Sequence, residues 1–297
     1  VPNEPNGAPT FDLQSHSLNS DGELSPAGVV AAAANAGVEL LALSDHDSTE
    51  GVSEAARAAR EHGIALVPAV EISVLDPAAQ DLHLLGYLVD IENADLVTQL
   101  ERSRSDREQR ADRIVARLKD LGWAVDEPFL ADHVAAGKTV GRPHLAEAVY
   151  HHPDNSPRLV AEGLSDPTAF LVAYLIEGTP GFLPRHGPTV AEAVALVHGA
   201  GGVAVWAHPF WDIEADPEVL AKLERFRGLG LDGVEAFYIT HTREQTEMLS
   251  ARAEELGLLS TGSADYHGPA HPSFNRFRNF ETYGLSPNLG PIATPNR

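Results

Sequence analysis

Residues 10–47, TFDLQSHSLNSDGELSPAGVVAAAANAGVELLALSDHD, set the architecture. TFDLQSH reads as a strand that runs into polar residues. SPAGVVAAAANAG follows as a helix, with Ser25 as N-cap, Pro26 at the first helical position and Gly37 at the stop. VELLALSD is a second strand, and its nearly unbroken apolar run suits burial on both faces. Each strand ends in groups able to bind a cation or move a proton: His16 and Asp21 after the first, His46 in SDHD after the second. A strand, a helix and a second strand with chemistry at both strand ends form the seed of a parallel α/β fold.

The same rhythm continues downstream. SEAARAAREHG is a helix closing at Gly63, IALVPAVEIS a third strand and DLHLLGYLV a fourth, all expected to be parallel in a sheet that is open or closed into a barrel. From Ala94 to Gly187 the pattern changes. LVTQLERSRSDREQRADRIVARLKDLG is a long amphipathic helix with Ile114, Leu118 and Leu121 on its apolar side. GRPHLAEAVYHH and PTAFLVAYLIEG are shorter helical pieces, and no strand is evident between them. Alternation then resumes. TVAEAVALVHGAGG carries a capping box formed by Thr189 and Glu192, VAVWAHP and GVEAFYI are strands, Thr242 and Gln245 cap TREQTEMLSARAEELG, and LLSTGSAD is the last strand. The expected organisation is an N-terminal tail over 1–10, a barrel built from 11–93 and 188–285, an inserted helical subdomain over 94–187, and a frayed C-terminal tail over 286–297.

Composition narrows the function classes. The 297 residues are 43% hydrophobic and 22% charged, as in a globular protein large enough for an ordinary core. No segment approaches the roughly 18–20 apolar residues of a membrane span, and the start VPNEPNGAPT does not resemble a signal peptide. A cytoplasmic location is the default expectation. The net charge of −22 opposes binding of long nucleic acid, whose phosphates demand dense Lys and Arg. It leaves room for a small anionic substrate, because a local cation reverses the field inside a cleft. With no cysteine, any metal must be held by His, Asp and Glu.

The candidate ligands recur at one structural place. His16 and Asp21 follow the first strand and His46 the second, Glu71 ends the third, His83 lies in the fourth, His208 ends VAVWAHP, and Asp265 and His267 end the last. In parallel α/β folds the carboxyl ends of the strands converge on one face, where ligands bind. Taken singly, each residue has an ordinary explanation; SDHD serves equally well as a helix-capping turn. Their joint placement is what favours a centre for two or three divalent ions, with Glu71 as a natural bridging carboxylate.

These stretches resemble a known family. DLQSHSLNSDG, LSDHDS, AVEIS, HLLGY, WAHP and GSADYHG are similar, in order and spacing, to the motifs of the PHP (polymerase and histidinol phosphatase) family, over most of residues 11–270. GRPHLAEAV and ITHT resemble the branch holding nucleoside 3′,5′-bisphosphate phosphatases and 5′-to-3′ exoribonucleases. The resemblance implies a distorted (β/α)7 TIM-like barrel with an inserted helical, substrate-capping subdomain and two or three ions (Mn, Fe or Zn). It implies a first site of the H-x-H pair with Glu71 and Asp265, a second of Glu71, His83 and His208, and a third of Asp21, His46 and His267. One position departs from the pattern: H-x-H is QSH here, so Gln14 stands where the first histidine belongs. Its amide oxygen is a poorer ligand than imidazole, which implies weakened or altered occupancy of the first site rather than collapse of the centre.

The activity this implies is hydrolysis of a phosphomonoester of a small nucleotide-like substrate by a metal-activated hydroxide, with Asp265 or His208 relaying the proton. Arg142 is expected to clamp phosphate, although pairing with a neighbouring carboxylate is an equal alternative from composition alone. His144, His241, Asn19 and Ser20 are further candidate substrate contacts. Tyr238 and Trp211 could stack on a base, burial being the simpler expectation for both. Two other functions compete: a phosphodiesterase or 5′-to-3′ exonuclease on short oligonucleotides, and a non-catalytic metal-binding module.

Overall fold

The computed structural model describes residues 9–76, 81–135, 140–211 and 213–295. It divides into two units, one formed by the chain up to Glu101 together with Pro188 onward, the other by Arg102–Gly187.

The first unit is a seven-stranded sheet in which sequence order is spatial order. Strand β1 (Phe11–Asp12) leads to helix α1 (Pro26–Asn35), whose first turn is closed by Ser25 Oγ accepting from the Gly28 N–H at 3.1 Å. Strand β2 (Leu40–Leu43) and helix α2 (Val52–His62) follow, α2 stopping at Gly63 in the left-handed conformation (φ 69°) that glycine adopts without steric cost. Strand β3 (Ala65–Leu75) and strand β4 (Asp81–Tyr87) come next, and helix α3 (Ala94–Asp120) leaves this unit. The return brings α8 (Val190–Gly199), β5 (Val203–Trp206), α9 (Asp216–Gly228), β6 (Gly233–Tyr238), α10 (Arg243–Leu256) and β7 (Leu259–Ser263). The capping boxes at Thr189 and Thr242 form as expected. Edge joins edge through Leu13 N–H to Gly262 O at 3.2 Å and His16 N–H to Tyr266 O at 2.8 Å. The sheet is therefore a nearly closed, distorted (β/α)7 barrel, and the main core of this unit gathers Phe11, Ile72, Leu84, Val205, Trp206 and Phe237, with Trp206 meeting Phe226 of α9.

The second unit continues α3 and adds α4 (Glu127–Ala135), α5 (Arg142–Tyr150), α6 (Ser156–Glu162) and α7 (Pro167–Tyr174). Its own core gathers Ile114, Leu118, Trp123, Leu145 and Phe170, with Arg158 lying 3.9 Å over the Trp123 ring.

Three expectations are corrected. Strand β4 is antiparallel to both β3 and β5. Only residues 76–80 separate β3 from β4, and a parallel neighbour needs a crossover of about a dozen residues or more. TFDLQSH is strand only at Phe11–Asp12; beyond it the chain bends toward β7, pairing again at Ser15 with Tyr266. Over its described residues, 286–295, the C-terminal stretch is not frayed: Leu289 and Ile292 are buried in the main core of the first unit, and Gly290–Ala293 forms a 3₁₀ turn. Of the expected N-terminal tail, residues 1–8 lie outside the described residues.

Candidate metal centre

The antiparallel β4 explains how His83, early in its strand, reaches the rim used by the carboxyl ends of the parallel strands. Ser73 pairs with His83 and Glu71 with Leu85, so Glu71 sits inside β3 rather than at its end, two positions from the residue facing His83. His46 forms an isolated parallel bridge with Glu71. His16 follows β1, His208 follows β5, and Asp265 and His267 follow β7. His208 (φ 28°), Asp265 (φ 53°) and Asp47 (φ 48°) all hold the left-handed backbone region that non-glycine residues avoid. Such strain concentrates at functional sites, where the surroundings enforce it.

Among the described residues, three groups bring ligand atoms within 4.8 Å of one another: His16, Glu71 and Asp265; His46, Glu71 and His83; and His16, Asp21, His46 and His267. Glu71 is the hub. Its Oε2 lies 3.1 Å from His16 Nε2 and 3.5 Å from His46 Nδ1, and its Oε1 lies 2.9 Å from His83 Nδ1 and 3.0 Å from His208 Nε2. Asp265 Oδ1 is 3.0 Å from His16 Nε2. Despite these distances, His16 Nε2, His46 Nδ1 and Asp265 Oδ1 are buried without a hydrogen bond of acceptable geometry. A buried polar atom left unpaired costs about 1–3 kcal/mol. Three such atoms, each belonging to one of the ligand groups, fit a donor set built to hold a cation. The residues present therefore suit divalent ions held by imidazole and carboxylate.

The electrostatics agree. Burial alone would raise the Glu71 carboxyl, but the imidazoles of His46, His83, His16 and His208 around it hold it well below the usual carboxylate range. Asp21 is likewise held well below the usual carboxylate range by His46, His267 and His16. Burial lowers His46 to about 4. His208 rises to about 9 against the pull of burial because of Glu71. A field that draws protons onto buried imidazoles also attracts divalent cations, which compete with those protons for the same nitrogens.

Gln14 is buried, and its Nε2 donates to Glu71 Oε2 at 2.8 Å while its Oε1 faces Ser263 Oγ at 3.5 Å. The reverse amide orientation would set oxygen against a carboxylate, so the side chain presents a donor to the hub.

Of the other residues named from sequence, Ser20 and Tyr238 touch the ligand groups, Ser20 Oγ lying 3.4 Å from His16 Nδ1. Ser20 is turned inward, its hydroxyl donating to Asp45 at 2.7 Å, while Asn19 is exposed in the same loop. His241 is buried, its Nδ1 against Ala236 O at 3.1 Å, and burial lowers it to about 4. Arg142 and His144 lie at the start of α5 in the second unit, where His144 Nδ1 accepts from the Gly141 N–H at 3.0 Å. Tyr238 is buried and donates to Asp265 Oδ2 at 2.7 Å. Trp211, expected to be buried, is 54% exposed. The turn that follows β5 explains this, because Trp211 N–H bonds to His208 O at 2.9 Å and the indole is carried out beyond the strand end.

Two contributors escaped the sequence reading. Asp45 accepts from the Ser17 N–H at 2.6 Å and from the hydroxyls of Ser17 and Ser20, each at 2.7 Å, fixing the loop that carries His16 and Asp21. Glu235 accepts from the His208 N–H at 2.9 Å and from Ser263 Oγ at 2.6 Å, and burial pushes its carboxyl up to about 8. The signal for Glu235 was a lone carboxylate in the otherwise apolar GVEAFYI.

The PHP domain profile matches residues 12–125. A 5′-3′ exoribonuclease of Haemophilus influenzae is 31% identical over 87% of this chain and 90% of its own. The chain belongs to the PHP-domain family. A 3′,5′-nucleoside bisphosphate phosphatase of Chromobacterium violaceum is 30% identical over 96% of this chain and 94% of its own. A solved structure from Bifidobacterium adolescentis, described as a metal-dependent phosphoesterase, superposes with a TM-score of 0.70 at 28% identity, covering 90% of this chain and 91% of its own. The PHP motifs of this chain thus lie on one rim around Glu71, with glutamine in place of the first histidine. Among the described residues no helix is long and apolar enough to cross a membrane.

Proposed function

We propose that this protein is a metal-dependent phosphoesterase that hydrolyses a phosphomonoester of a small nucleotide-like substrate, a nucleoside monophosphate or 3′,5′-bisphosphate. The observation that carries the reading is a set of three overlapping ligand groups, two of them sharing Glu71, with buried polar atoms left unpaired among them. His16, Glu71 and Asp265 would hold one ion, Glu71, His83 and His208 a second, and Asp21, His46 and His267 a third. Mn, Fe or Zn ions held there supply positive charge to phosphate oxygens and bring the pKa of water toward neutrality.

The chain's own groups do the rest. Asp45 holds the His16–Asp21 loop, and Glu235 holds the backbone of His208. Asp265 is fixed by Tyr238 Oη on one oxygen and lies against His16 on the other, and His16 and His267 hold its carboxyl below the usual range against burial, so that it is ionised and able to accept a proton. His208, whose nitrogen lies 3.0 Å from Glu71, is the second group placed to relay a proton to the leaving oxygen. Arg142 is the proposed phosphate clamp on the strength of its GRPH motif.

A second reading, cleavage of diesters in short oligonucleotides, draws support from the Haemophilus relative's name. Incubating the manganese-loaded protein with AMP, with adenosine 3′,5′-bisphosphate and with a short oligoribonucleotide separates the two. Phosphate release from the first two supports the monoesterase, mononucleotide release from the third supports the diesterase, and no turnover of any of them refutes both.

A further inference from the structure

We propose that the exposed indole of Trp211, backed by the buried Phe274 ring, forms an aromatic platform at the mouth of the metal centre that binds the planar base of the substrate. This inference rests on the phosphoesterase reading and specifies its substrate class as base-bearing. Of the protein's three tryptophans, Trp123 and Trp206 are 2% and 1% exposed, whereas Trp211 is 54% exposed. The large apolar side chains exposed among the described residues of the barrel unit are Leu18, Trp211 and Leu229, and the first two follow β1 and β5 on the rim that bears the ligand groups.

Trp211 is anchored there. Its ring stands edge-on to His208 at 6.4 Å and tilted against Phe274 at 5.6 Å. Phe274 in turn lies 5.4 Å from the His267 ring and stacks on His271 at 5.0 Å. The indole is therefore next to His208 and one ring removed from His267, two of the proposed ligands. A mononucleotide separates its base from its phosphate by a single sugar, so a phosphate among the ligands leaves its base beside this platform. Tyr238 is excluded as the stacking surface because it is buried and its hydroxyl is engaged by Asp265.

Stacking of a base on an aromatic ring is worth about ten- to a hundredfold in affinity. The test compares kcat/KM for AMP with that for ribose 5-phosphate, which lacks the base. In Trp211→Ala the AMP-to-ribose 5-phosphate selectivity is expected to fall about tenfold, mainly through KM for AMP, and Trp211→Phe is expected to restore most of it. Unchanged selectivity in Trp211→Ala would overturn the platform while leaving the phosphoesterase standing. If the wild type hydrolyses no phosphate ester, the functional reading fails, and fluorescence still judges the platform. Adenosine should quench the wild-type emission well beyond that of Trp211→Phe. Equal quenching overturns the proposal, as does a blue shift of the emission on raising protein concentration, which would place Trp211 against a second copy of the chain.

Discussion

Gln14 donates an amide proton to Glu71 across 2.8 Å, and Glu71 is the carboxylate shared by two of the three ligand groups. Where the PHP pattern has an imidazole nitrogen that accepts a cation, this chain has an N–H that orients the bridging carboxylate. In the proposed assignment the first ion would then be held by His16, Glu71 and Asp265, with Gln14 acting on it through Glu71.

Replacing Gln14 by His is therefore expected to add a ligand. Metal content per purified chain, measured by elemental analysis, should rise, and the affinity for manganese measured by calorimetry should increase. Unaltered stoichiometry and affinity would mean that Gln14 already ligates or that another group completes the site.

Removing a ligand should be far more damaging than adding one. Changes to groups that merely orient ligands cost about 10–100-fold, so His46→Ala and Asp265→Ala are expected to lower phosphate release by more than about a hundredfold. Circular dichroism should show an intact fold in at least one of them. Turnover at the wild-type rate in both would remove these residues from the site.

Chelation should destabilise the protein. An ion present at a hundred times its dissociation constant stabilises the folded state by about 2.7 kcal/mol. For a chain of this size that corresponds to a Tm several degrees higher, at about 2–4 °C per kcal/mol. Thermal melts with and without EDTA should differ by that amount, and manganese should restore the loss.

His241 makes stability depend on pH in a definite window. Burial lowers it to about 4 from the 6.5 of an exposed imidazole, so between those values the unfolded chain binds the extra proton. This contribution is complete above pH 6.5 and is lost as the pH falls toward 4. The drop in Tm from pH 7 to pH 5 should be smaller in His241→Gln than in the wild type; an equal drop would show that His241 is not the responsible group.

Much of the architecture was legible along the chain. Helix starts at Ser25, Thr189 and Thr242 follow from side chains that cap their own first turns, a purely local interaction. The ligand residues stood out because His, Asp and Glu are out of place where apolar strands end. The direction of β4 was also encoded, in the short interval over residues 76–80, but the parallel rhythm of its neighbours masked it. Asp45 and Glu235 were harder to find, because both act on backbone N–H groups of residues 28 and 27 positions away. Burial of the C-terminal Leu289 and Ile292 likewise depends on a core assembled from elsewhere.

The linear chain settles its alternation of strands and capped helices, and the residue types at the strand ends, because hydrophobic period and capping are properties of neighbouring residues. The packed barrel settles that Gln14 faces Glu71 with its nitrogen, that four imidazoles surround one carboxylate, and that Trp211 stands in solvent while Trp206 does not. The contacts of Gln14 and His208 with Glu71 join residues 57 and 137 positions apart in the chain, which only closure of the sheet brings within reach of one another.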